Sequence, residues 1–137
     1  LAEAKLSPEL RNEALYYRAK AYTKQKADKK AMEDYRELAK DTRNSYGAEA
    51  KYQVAQSLYD AKEYAAAEKE LLNYIEQSTP HAYWLARSFI LLSDVYHATG
   101  KNLDARQYLL SLQQNYQGND DIESMIESRL SKLKVEN

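Results

Sequence analysis

The side chains able to do chemistry are few and scattered. His81 and His97 stand at i and i+16, off any metal-ligand spacing, and the chain has no cysteine to complete a zinc site or act as a nucleophile. There is no Gly-rich phosphate loop and no Gly-x-Ser-x-Gly elbow. Asp94 and His97 are spaced i, i+3, so on a helix they would touch. That pair reads as a surface hydrogen bond rather than a general base. The remaining carboxylates alternate with Lys and Arg, the pattern of a solvated helix face. The expectation is a protein that is not an enzyme and that holds no cofactor and no metal.

Charge narrows the partners. Twenty basic and 21 acidic residues leave a formal net charge of −1, without the basic excess that displaces counterions from a nucleic acid. Lys24, Lys26, Lys29 and Lys30 form a local basic cluster, but Asp28 and Glu33 dilute it, and it reads as a solvated turn between two helices. Nucleic acid is therefore not expected. Nor is membrane insertion, since the longest obvious apolar run, Phe89–Leu92, is far short of the roughly 20 residues of a span. The chain starts at Leu1 instead of methionine, which reads as a processed form or a fragment of a longer protein.

The elements that must position these residues follow from the apolar spacing. Two prolines and three glycines leave few positions that resist a helix. The pattern predicts helices over 8–25, 28–41, 46–61, 64–77, 80–98, 102–116 and 120–133. Ser7-Pro8 and Thr79-Pro80 each place a capping hydroxyl before a proline at the first helical position. Asp120-x-x-Glu123 reads as a capping box. Residues 1–6 read as the tail of a preceding helix.

A repeat runs through these helices. Leu15, Ala19, Tyr22 and then Ala31, Tyr35, Leu38 are matched by Lys51, Ala55, Leu58 with Ala67, Leu71, Tyr74, and by Phe89, Ser93, Tyr96 with Ala105, Leu109, Leu112. Each triplet is spaced i, i+4, i+7, one face of a helix. Ala19 to Ala31, Ala55 to Ala67 and Ser93 to Ala105 are each a step from i to i+12. A constant offset means a constant helix–turn–helix hairpin. The step from one hairpin to the next is i+36 and then i+38, so the extra residues belong in the joints at 41–45 and 77–80. Stacked hairpins make a solenoid, here of three hairpins over about 8–41, 46–77 and 80–116 with a capping helix over 120–133. The whole chain, 1–137, reads as one all-α domain.

The pattern resembles the tetratricopeptide repeat family, whose unit of roughly 34 residues carries a small residue midway along its first helix and an alanine early in its second. Ala19, Ala55 and Ser93 match the first position and Ala31, Ala67 and Ala105 the second. Gly100 matches the inter-helix glycine, which Lys26 and Lys62 replace in the other two units. Leu15, Lys51 and Phe89 stand in the tryptophan column, and Arg18 takes a leucine position. Residues 45–52 further resemble bacterial cell-envelope members with longer repeats, including the outer-membrane assembly lipoprotein and the Tol-associated coordinators, and residues 86–96 resemble the last full repeat of long exported proteins from Bacteroidetes-like bacteria.

The resemblance implies a right-handed superhelix whose first helices line a concave groove for a protein or peptide partner. Carried onto this chain, the groove residues are Tyr16, Lys20, Tyr52, Gln56, Tyr59, Asp94 and His97, among neighbours such as Glu13, Glu49, Arg87 and Ile90. Two readings of the tyrosines stay open, an exposed aromatic stripe along the groove or packing between helices. The stripe reading expects Tyr16, Tyr52 and Tyr59 to be partly exposed. Some family members clamp a terminal carboxylate, but of Tyr16, Lys20, Tyr52 and Gln56 only Lys20 carries the charge, so that clamp is not expected. The implied role is a non-catalytic scaffold, with the periplasm or cell envelope favoured. The alternatives are a structural spacer, an accessory domain of a larger protein or a cytoplasmic adaptor. The first hairpin, through Leu6, Leu10, Leu15 and Met32, is expected to present an uncovered apolar face that meets a preceding repeat or mediates self-association.

Overall fold

The computed structural model describes residues 7–136, with side chains to Leu133. The expectation for residues 1–6 and the contact expected of Leu6 lie outside them. Among the described residues the chain is all-α, with no strand: α1 Pro8–Lys24, α2 Asp28–Leu38, α3 Ser45–Asp60, α4 Tyr64–Glu76, α5 Ala82–Ala98, α6 Asn102–Asn115 and α7 Ile122–Glu136.

The helices pair as the constant offset between small residues requires. Each of α1–α2, α3–α4 and α5–α6 is joined by a short turn of one design. The Ala27, Glu63 and Lys101 N–H groups donate to the carbonyls of Tyr22, Leu58 and Tyr96 at 2.8, 2.9 and 2.7 Å. This bond closes a helix end and needs a left-handed residue just before its donor. Gly100 supplies it at φ 80, and Lys26 and Lys62 adopt φ 62 in the same place. The lysines in the glycine column therefore keep the turn, at a steric cost glycine would not incur.

Within a hairpin the helices run antiparallel, as Arg11 reaches Glu37 at 3.7 Å and Arg18 reaches Asp34 at 2.7 Å. The six small repeat positions are all buried: Ala19, Ala55, Ala67 and Ala105 at 0 % exposure, Ser93 at 1 % and Ala31 at 5 %. A larger side chain at any of them would overpack the seam, at about 1–3 kcal/mol. Each first helix also packs on the next, α1 on α3, α3 on α5 and α5 on α7. One contiguous core runs from Leu15 to Leu133.

The two residues that break the repeat's apolar columns are neutralised within their hairpins. Arg18 donates to both carboxylate oxygens of buried Asp34 at 2.8 and 2.7 Å. Buried Lys51 bridges to Glu70 at 2.8 Å and donates to Asn73 at 2.9 Å. A buried charge is tolerable only when paired in this way.

Several helix ends differ from expectation. Ser7 does cap α1, accepting the Leu10 N–H at 3.2 Å. Thr79 does not cap a helix at Pro80. Its buried hydroxyl donates to the Thr42 carbonyl at 2.7 Å, and α5 starts at Ala82. Thr42 in turn donates to Gln77 at 2.8 Å. The two joints between hairpins are thus bonded to each other, while the Thr79 hydroxyl oxygen accepts the His81 N–H at 3.3 Å in a local turn ahead of α5. Helix α2 ends at Leu38, three residues before the expected 41. A Cβ at Gly47 would collide with the Leu38 and Asp41 carbonyl oxygens, so α3 enters hard against the place where α2 stops. The capping box is replaced by a tighter turn: Asp120 accepts the Ile122 N–H at 3.0 Å, and the Asp121 carbonyl opens α7.

Candidate functional site

The face made by the first helices of the hairpins divides into two inter-helix junctions and one cleft. At the first junction, α1 meets α3 around Glu49. Its carboxylate is buried, with one oxygen 2.8 Å from the Tyr16 hydroxyl and the other 2.7 Å from Lys20 Nζ. The Tyr16 ring also lies 4.8 Å from that of Tyr46, and the Lys20 ammonium 5.1 Å from the Tyr16 ring centre. Burial raises the Tyr16 phenol, and the Glu49 carboxylate it bonds raises it further. For Lys20 burial acts in the opposite direction, but Glu49 and Tyr16 outweigh it and hold the ammonium above the ordinary lysine value. The one cation a carboxylate clamp would have used is already neutralised.

At the second junction, α3 meets α5 around Arg87. This guanidinium donates to the Tyr83 hydroxyl at 2.9 Å and the Tyr52 hydroxyl at 3.0 Å. It lies 5.0, 5.8 and 5.9 Å from the ring centres of Tyr52, Tyr83 and Trp84, an aromatic cage filled by the chain's own cation. Tyr52 donates its hydroxyl proton to Gln56 at 2.9 Å, and Gln56 donates to Asp60 at 2.9 Å. Tyr52 is only 5 % exposed, which corrects the expectation that it stands partly open on the groove. Ile90, at 1 %, is likewise a core residue. Burial displaces Tyr52 because the next hairpin sits on it, an effect no local spacing encodes.

The cleft lies further along, between α3, α5 and α7. It encloses about 330 Å³ and is lined by Gln56, Tyr59, Ser93, Asp94, His97, Ser128, Arg129, Lys132 and Leu133. Four of the seven expected groove residues therefore come together, and Tyr16, Lys20 and Tyr52 lie in the junctions. Tyr59 is half-buried, with its ring 5.6 Å from Tyr64, and burial followed by the nearby Asp94 carboxylate raises its phenol. Asp94 receives Arg129 through two contacts of 3.3 Å, and His97 Nδ1 lies 2.9 Å from the Asn102 side-chain oxygen.

Sequence reasoning assigned α7 only a covering role and missed Ser128, Arg129 and Lys132. A signal was present. Asp94 and Arg129 are 35 residues apart, as are Tyr52 and Arg87. Each pair joins a first helix to the helix in the next such position, so α7 docks as a further first helix would and supplies the third wall of the cleft.

Chemically, the cleft offers hydroxyl, amide, imidazole and ammonium groups around one neutralised acid. Among the described residues no cluster of three or more His, Asp or Glu could hold a metal ion, and no helix is long and apolar enough to cross a membrane. Fold and cleft together define an all-helical chain of packed hairpins with a polar recess on the face of its first helices. No protein-family model, no curated protein and no solved structure matches this sequence.

Proposed function

We propose that this chain is a non-catalytic interaction module of tetratricopeptide-repeat type. On this reading three hairpins and α7 form a right-handed solenoid, and an extended peptide or protein segment is held in the cleft along the first helices. The observation that carries it is the convergence of Gln56, Tyr59, Asp94 and His97, from two hairpins, with Arg129 and Lys132 of α7 around one recess. Such a recess, polar around the single Tyr59 ring, suits a segment that brings its own backbone donors and acceptors and a carboxylate or carbonyl for Lys132. The residues quoted for the cell-envelope resemblance favour a bacterial periplasmic or envelope setting.

The test is selection of peptides from a display library on the native chain, followed by calorimetry against a Tyr59→Ala, His97→Ala, Lys132→Ala triple variant. Peptides that bind the native chain and lose at least about tenfold in affinity (about 1.4 kcal/mol) for the variant, at a temperature where its melting curve shows it fully folded, support the reading. Peptides that bind both equally, or a library that yields none, count against it. The spacer reading has its own support, because Tyr16, Lys20 and Tyr52 are engaged in hairpin-to-hairpin contacts. An empty library screen favours that reading.

A further inference from the structure

One face of α1 is apolar and open. Leu10 and Tyr17 are 53 % and 61 % exposed, unlike any comparable residue of α3 or α5. They are spaced i, i+7 and so share one side of the helix, and Ala14 lies between them, also exposed.

The repeat spacing identifies the matching face on the other first helices. Steps of i+36 and then i+38 carry Ala14 to Ala50 and Ser88, both 0 % exposed. The same steps carry Tyr17 to Gln53 and to Leu91, the latter 2 % exposed. They carry Leu10 to Tyr46, which packs on the Tyr16 ring, and to Trp84, which packs on Tyr52. On α3 and α5, then, this face is where the preceding hairpin sits. All three members of the Ala14 column are small, as a close helix approach needs.

Charge points to the same occupant. The residue that follows Leu10 by three is Glu13, and its equivalents Glu49 and Arg87 are the two groups that fasten one hairpin to the one before. Glu13 itself has no hydrogen bond or ion pair among the described residues.

We infer that this face of α1 seats a further helical hairpin of the same kind, ahead of α1 in the polypeptide. Its first helix would carry an aromatic hydroxyl over Leu10 and a cation onto Glu13, as Tyr16 and Lys20 do for Tyr46 and Glu49. A second copy of the chain fits less well. The α7 end it could offer is polar, with Glu123, Ser124, Glu127 and Ser128 exposed.

The test compares the native chain with an extended one that carries residues 8–44 once more directly ahead of Glu9, which repeats the α2-to-α3 joint. In the native chain Tyr17→Lys should shift the melting temperature by less than about 2 °C, as an exposed change does. In the extended chain the same substitution should lower it by about 5 °C or more, and α1 amides should exchange more slowly than in the native chain. A second extended chain, with residues 45–81 ahead of Pro8, guards against one faulty fusion. Equal effects of Tyr17→Lys in native and extended chains, or an α1 left unprotected in both fusions, would overturn the inference. So would a native chain that is dimeric by ultracentrifugation and becomes monomeric on Tyr17→Lys, since a second copy would then be the occupant.

Discussion

The Tyr52 hydroxyl and the Arg87 guanidinium meet at 3.0 Å across 35 residues of sequence, and Arg87 lies 5.0 Å from the centre of the same ring. Tyr52 thereby receives on its ring and on its oxygen a cation that joins the second hairpin to the third. The Arg87 Nε is buried and without a hydrogen-bond partner among the described residues, so the two tyrosine hydroxyls and the surrounding rings are what offset the desolvation of this charge.

Tyr52→Ala should therefore destabilise the fold by about 3–5 kcal/mol, the range for losing a large buried aromatic. Tyr59→Ala, at the half-buried cleft, should cost well under half of that. Urea denaturation of both variants measures the difference. Equal losses would place Tyr52 back among groove residues.

Arg18 and Asp34 make an asymmetric pair, the arginine side chain 52 % exposed and the aspartate 7 %. Removing the arginine leaves a buried carboxylate unpaired, while removing the aspartate frees an arginine to reach water. Arg18→Ala should be the more destabilising of the two by about 1 kcal/mol or more. The same denaturation assay reads this order, and a reversed order would show that the arginine stem and not the ion pair holds α1 on α2.

Lys26 and Lys62 stand in left-handed backbone that glycine enters without strain. Lys26→Gly and Lys62→Gly should each raise stability by up to about 1 kcal/mol, and Gly100→Ala should lower it by a similar amount. Thermal melts of the three variants check the signs. A loss on either lysine change would mean that its side chain contributes more than its backbone costs.

Tyr74 is fully buried and its hydroxyl has no hydrogen-bond partner among the described residues. Burial pushes that phenol up to about 12, against a smaller pull from the Thr79 hydroxyl. Tyr74→Phe keeps the ring and removes the stranded oxygen, so stability should stay the same or rise by about 1 kcal/mol. A clear loss would reveal a bond from the hydroxyl, with Thr79 the first residue to test by a double-mutant cycle.

The α1–α3 junction should be insensitive to pH near neutrality. The folded Lys20 pKa lies above its ordinary value, so its contribution is complete below about pH 10.4 and is lost as the pH rises through the folded value. Asp41 behaves in the opposite sense. The Arg43 N–H and then its guanidinium hold the Asp41 carboxyl below the ordinary range, so its contribution is present above about pH 3.9 and is lost as the pH falls through the folded value. Carbon-13 NMR of the Lys20 side chain should show a titration midpoint that drops in Glu49→Gln. An unchanged midpoint would show that Glu49 does not hold the ammonium.

The spacing of small and large apolar residues was enough to place the seven helices of the described residues and their three like turns. A helix face repeats every 3.6 residues whatever it packs on, and the offset between the small residues of a hairpin is set by the length of one turn. Ala19, Ala55, Ser93 and their partners are buried for reasons that lie within a single hairpin. What one hairpin does to the next was not legible locally. Tyr52 stands where the family resemblance implies a groove residue, and it is a core residue because α5 covers it. Thr79 has the sequence of a helix cap and bonds a joint 37 residues away. Arg129 and Lys132 stand on a helix read only as a cap, and they line the cleft because α7 docks beside α5. Periodicity determines which side of a helix is apolar, because that depends on residues a few positions apart. Which polar groups on the other side stay in water depends on contacts with the adjoining hairpin, a whole repeat away in the sequence, and only the stacking of hairpins decides those.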